Sequence, residues 1–93
     1  MKPSPKNSPP PELEPLRTAI DSVDRELLTL LNQRLGYAKQ IGQLKARQGA
    51  RVLGAGGEAP VLRQILAHNR GPISDSALRP IFGEIMSVSG EIQ

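Results

Sequence analysis

From Leu13 the apolar positions run Leu13, Leu16, Ile20, Val23, Leu27 and Leu30, then Tyr37, Ile41 and Leu44, spaced alternately by three and four residues. That spacing is a heptad seam along one helix. The seam is interrupted once, at position 34, where the period calls for an apolar residue and the chain supplies Arg34. A second stripe of Leu28, Leu31, Leu35, Ala38 and Gly42 lies beside the first and ends at Lys45. Two apolar stripes predict burial on more than one side. The helix is expected to begin near Glu12 to Pro15, with proline in its first turn, and to end before Gly49, which suits a C-terminal cap.

After a glycine-rich loop from Gln48 to Gly57, Val61, Leu62, Ile65 and Leu66 mark a short second helix with Pro60 in its first turn. Asn69, Arg70, Gly71 and Pro72 stop it. Ser74 or Ser76 can cap a third helix, which carries Leu78, Ile81, Phe82, Ile85, Met86 and Ile92. Pro80 favours the later start, because deep inside a helix a proline costs about 3 kcal/mol. No alternating strand pattern or internal repeat competes, so the expected class is all-α, three helices with a very long first one.

That first helix is too long for its own chain. Leu13 to Arg47 would span about 52 Å at 1.5 Å per residue. A globule of this chain length has a diameter of only about 32 Å. Another molecule must cover the seam, and the least elaborate cover is a second copy of the same helix across a two-fold axis, an antiparallel homodimer.

Composition narrows the remaining classes. Ninety-three residues with a formal charge of +3 make one small domain, and with no cysteine it has neither disulfides nor thiolate metal ligands. A reducing, cytoplasmic compartment fits. Met1 to Pro11, MKPSPKNSPPP, lacks the apolar centre of a signal peptide and reads as a disordered proline-rich tail ahead of a helical domain over 12–93. No apolar run approaches the ~20 residues of a membrane span, so no membrane partner is expected. The basic balance does not point to nucleic acid, since two lysines lie in the tail and the only aromatics are Tyr37 and Phe82.

Arg34 is the most informative residue, because a guanidinium keeps its charge and is costly to bury unpaired. It calls for an anion: a carboxylate of a partner helix, solvent at the edge of the seam, or a ligand. Lys45 lies eleven residues on, three turns, with its Cα about 16 Å away, so both long side chains could converge on one small ligand. Arg17 lies about 25 Å before Arg34 along the axis and cannot serve the same site within one chain. In an antiparallel dimer with its axis passing near Leu28 it falls opposite residue 39 of the other chain; otherwise it pairs with Asp21 one turn on. Ser89 and Gln93 share a face of the third helix, although polar residues at a chain end are ordinarily exposed. His68, in the last turn of the second helix, suits the helix dipole and is assigned no catalysis. No histidine pair for a metal, nucleophile with a base, or phosphate loop is evident, and the GAGG of Gly54 to Gly57 reads as a turn.

Together, LRTAIDSVDRELLTLLNQR, IGQLK, NRGPIS and FGEIMSVSGEIQ resemble the all-helical chorismate mutases, and in particular the mutase domain at the start of bacterial P-proteins, which continue into prephenate dehydratase. The resemblance runs from about Leu13 to Gln93. It implies a domain-swapped, intertwined homodimer whose two sites are each completed by the long helix of the other chain. It also implies the Claisen rearrangement of chorismate to prephenate in phenylalanine and tyrosine biosynthesis, with no cofactor and no metal. By that likeness Arg17 of the partner and Arg34 hold the substrate carboxylates, Lys45 and Gln93 hydrogen-bond the ether oxygen, Glu58 lies near the substrate hydroxyl, and Ser89 is a binding serine. Lys45, Gln93 and Arg34 are then the catalytic set. A fused or following prephenate dehydratase domain is a further implied partner.

The chain departs from the family pattern before the second helix. Gly57 stands where the family usually has arginine next to the glutamate, Gly54 replaces a commonly polar residue, and Pro60 follows where an ordinary helix start is more usual. Reduced activity is therefore one expectation. Two alternatives remain open at this point: an isochorismate pyruvate lyase using the same pocket, and a non-catalytic regulatory dimerisation domain.

Overall fold

The structure, a computed structural model, describes residues 10–48 and 58–92. The elements among these residues are three helices: α1 (Leu13–Gln48), α2 (Glu58–His68) and α3 (Asp75–Ile92). No strand occurs among the described residues. The expected tail lies almost wholly outside them, as do the loop after Gln48 and its glycine run.

The chain divides into two compact units, Met1–Leu31 and Asn32–Gln93. In the first, α1 is entered through a turn in which the Leu13 amide donates to the Pro10 carbonyl at 3.0 Å. Pro15 sits third in the helix, where a backbone N–H has no intrahelical acceptor to lose. Glu14 adds a favourable charge to the same turn. Beyond this entry the apolar residues of the unit lie open: Leu16, Ile20, Val23, Leu27, Leu28 and Leu30 retain 51–61% of their surface.

In the second unit the remainder of α1 behaves differently. Its covered positions are Arg34, Leu35, Ala38, Gly42 and Lys45, a 3.6-period stripe in which Ala38 is the most buried. Tyr37, Ile41 and Leu44 of the first seam stay exposed. So from position 34 onward the chain covers the second stripe by its own folding and leaves the first to solvent. α2 presents Val61, Leu62, Ile65 and Leu66, all half-buried, and packs against α3. α3 turns inward Leu78, Phe82, Ile85, Met86 and Ser89, again at helical spacing.

The start of α3 corrects the sequence reading. Ser74 is the cap: its Oγ accepts the Ala77 amide at 3.1 Å, and its carbonyl accepts the Leu78 amide at 3.0 Å. Pro80 is therefore the sixth residue of the helix, well inside it. The loop before the helix explains why the earlier start prevails. Asn69 Nδ2 donates to the Ile73 carbonyl and to Asp75 Oδ1, both at 2.9 Å, while its Oδ1 accepts the Gly71 amide at 2.9 Å. Gly71 has φ +74°, a conformation glycine adopts without Cβ strain. One asparagine thus fixes the turn and the first residue of α3, and the lost hydrogen bond at Pro80 is tolerated.

Candidate active site

Arg34 reaches the site from the middle of α1 and Ser89 from the last turn of α3. Arg34 Nη1 donates to Ser89 Oγ at 2.6 Å, and Ser89 Oγ donates in turn to the Ile85 carbonyl one turn back at 2.9 Å. The chain arginine, hydroxyl, carbonyl ties two elements 55 residues apart in sequence. Among the described residues Ser89 is the hydrogen-bond partner given to Arg34, and it is neutral. A half-buried guanidinium held by a hydroxyl keeps its positive charge, and a neutral partner does not cancel it.

Lys45 lies on the same covered stripe of α1, in the last turn, and is half-buried. It is not without a partner in the structure. The second unit therefore brings two cations and a buried hydroxyl onto inward-facing helix stripes. Arg17 stands on the first unit and is exposed. Glu58 opens α2, but its side chain and the whole of Gln93 and Gly57 fall outside what the structure describes.

Ser89 is the residue that reasoning from spacing misread. A polar side chain near a chain end reads as exposed, yet Ser89 retains only 4% of its surface. The signal was present, since Ser89 continues the period of Leu78, Phe82 and Ile85 and so occupies a core position of α3. Its pairing with Arg34 had no sequence signature. His68 has a local role, its Nδ1 lying 2.8 Å from the Gln64 carbonyl within α2.

Residues 16–93 match the chorismate mutase type II family. The chain belongs to that family. Membership places it among isomerase domains and accounts for the all-helical fold. The bifunctional chorismate mutase/prephenate dehydratase of Neisseria gonorrhoeae is 45% identical over 75 residues, which cover 81% of this chain and 20% of that protein. Those of Aquifex aeolicus and Pseudomonas aeruginosa are 36% and 35% identical over 80 and 86 residues, each match covering 82% of this chain and 22% of the relative. The chain thus spans about a fifth of the length of these relatives. A solved structure, chorismate mutase (form II) from Thermus thermophilus, superposes with a TM-score of 0.80 at 32% identity, covering 87% of this chain and 92% of that one.

Proposed function

We propose that this chorismate mutase family chain converts chorismate to prephenate, and that it does so as a homodimer. The observation that carries the reading is the Arg34 guanidinium, half-buried on an inward helix stripe and hydrogen-bonded, among the described residues, to the neutral hydroxyl of Ser89. Chorismate is a dianion, and one of its carboxylates pairs with that charge. Lys45, on the same stripe three turns on, faces the breaking ether bond in this reading.

The rearrangement breaks one carbon–oxygen bond and forms one carbon–carbon bond within a single molecule. It requires no nucleophile, general base or cofactor. Its barrier falls when the substrate is held compact, with the reacting carbons in contact, and when negative charge growing on the ether oxygen is met by fixed donors. In the proposed site Arg34 and Arg17 of the other chain clamp the two carboxylates. Lys45 and Gln93 donate to the ether oxygen, while Glu58 addresses the ring hydroxyl. Ser89 belongs to the same wall as Arg34.

The dimer in this proposal is supported by the seam of α1. A row of leucine, isoleucine and valine more than half exposed along the first unit is apolar surface that water penalises at about 25 cal/mol per Å². A second α1, antiparallel, covers it and delivers Arg17 to the partner's site. In the relatives named above the mutase region is joined to prephenate dehydratase. We extend the proposal to this protein: its product passes to a dehydratase, fused or separate, in the cytoplasm.

The decisive experiment is chorismate turnover by the purified chain, followed by loss of ultraviolet absorbance together with a direct assay for pyruvate. Loss of chorismate with prephenate formed and no pyruvate is the expected result. Pyruvate release would instead assign a lyase, and a folded dimer without turnover would assign the non-catalytic reading that Gly57 suggests.

A further inference from the structure

The geometry points to Asn69 as a positioning residue: we infer that its side chain sets the angle between α2 and α3, and through that angle the placement of Ser89 and of the start of α2 at the proposed site. This deepens the reading above and rests on it. Asn69 lies between the two helices and is half-buried. Its Nδ2 has two hydrogens, which go to the Ile73 carbonyl and to Asp75 Oδ1, both at 2.9 Å. Its Oδ1 accepts the Gly71 amide at 2.9 Å. Its own backbone amide donates to the Leu66 carbonyl at 3.1 Å, so one residue both closes α2 and fastens the entry to α3. Aspartate in its place would have no donor, serine only one, and glutamine an extra methylene to fold away.

The consequence falls at the far ends of the helices. Ser89 lies fourteen residues beyond Asp75, about 21 Å along α3 at 1.5 Å per residue. A tilt of about 5° at the turn therefore moves Ser89 by about 2 Å. The bond of 2.6 Å between Arg34 Nη1 and Ser89 Oγ shows how closely α3 must be placed against α1. Burial alone does not hold that angle. Val61, Leu62, Ile65 and Leu66 of α2 are half-buried, and apolar contact is non-directional, so it keeps the helices together without choosing among nearby tilts. Hydrogen bonds weaken steeply off axis, and two of them from one amide to the entry of α3 select a direction. A residue far from the chemistry thus governs the geometry of the site.

The test separates direction from stability. Asn69→Asp keeps the acceptor for the Gly71 amide, loses both donors and sets a second carboxylate against Asp75. Residual dipolar couplings of the α2 and α3 amides in the ligand-free, 15N-labelled chain should define one interhelical angle in the native protein and a shifted or averaged one in this variant. At a temperature where the variant is fully folded, its kcat/KM for chorismate should fall by about tenfold or more, with kcat bearing part of the loss. Asp75→Asn, whose side-chain carbonyl still accepts from Asn69, should stay within about twofold of native. Combining Asn69→Asp with Asp75→Asn reverses the bond between the two positions and should recover most of the angle and of the activity. A native angle in Asn69→Asp, or native activity despite a changed angle, would overturn the inference. So would a combined variant no better than Asn69→Asp alone. Should Asn69→Asp not fold, Asn69→Ser, which keeps an acceptor for the Gly71 amide, is read in the same way. A native chain without turnover of chorismate, in which the angle still follows residue 69, would remove the proposed function and leave Asn69 as the joint of α2 and α3.

Discussion

Gln93 carries a neutral amide, which donates a hydrogen bond at any pH the fold survives. If that donor meets the ether oxygen, Gln93→Glu keeps the shape and makes the donation depend on a proton. Activity of the variant should then fall as pH rises through the glutamate range, while the native chain stays level, with the largest gap above neutrality. Superimposable pH profiles of kcat/KM would place Gln93 elsewhere. Gly57 raises the opposite question, because it supplies no charge where the family resemblance leads one to expect arginine. A charge-assisted hydrogen bond contributes about 1.5 to 3 kcal/mol, so Gly57→Arg should raise kcat/KM by about tenfold or more, and Gly57→Ala much less. An arginine variant no faster than the native chain would mean that another cation already serves that wall of the site. Neither position was decided by the fold, since both lie outside the described residues. Arg34 was legible from its intrusion into an apolar period, whereas its partner was not: nothing local to residues 34 and 89 announces a bond across 55 positions.

Among the elements, α3 shows most clearly where propensity yields to a turn. Ser74 and Ser76 were equal candidates as caps, and Pro80 tipped the reading toward the later one. The network around Asn69 holds Asp75 and the Ile73 carbonyl, so the helix begins where the loop delivers it. Ser74→Ala should therefore lower stability by about 1 kcal/mol in urea denaturation, with Ser76→Ala close to neutral. Equal effects would remove Ser74 as the cap. Pro80→Ala restores the amide that the Ser76 carbonyl lacks, offset in part by a more flexible unfolded chain, and should raise stability by about 2 kcal/mol. The bounds of α1 and the whole of α2 followed from ordinary signals: proline in the first turn, an apolar period, and glycine or Asn-Arg-Gly-Pro beyond the end.

For the whole molecule, the divided behaviour of α1 matters most. Its second stripe from Leu35 to Lys45, with Arg34 beside it, is covered by the chain itself, whereas Leu28 and Leu31 of that stripe and the apolar residues of the seam from Leu16 to Leu44 are exposed. Sedimentation at micromolar concentration should accordingly show a single species of twice the chain mass, and a well-folded monomer would remove both the dimer and the shared site. A sharper test uses two nearly inactive variants, Arg17→Ala and Arg34→Ala. Unfolded together and refolded as mixed dimers they should recover activity, because one site of each mixed dimer then holds both arginines. Proven heterodimers that stay inactive would exclude a site shared between chains.

The sequence by itself determined the number and kind of elements, because helical period, proline in first turns and glycine at ends act over a few residues and are written locally. It also marked Arg34 as out of place, since a charge in an apolar period is visible without coordinates. Only the tertiary structure decided which of the two stripes of α1 its own chain covers, where α3 starts, and that Ser89 is buried against Arg34. Those outcomes depend on how a loop directs a helix and which side chains then meet across space, and no spacing along the chain encodes that distance.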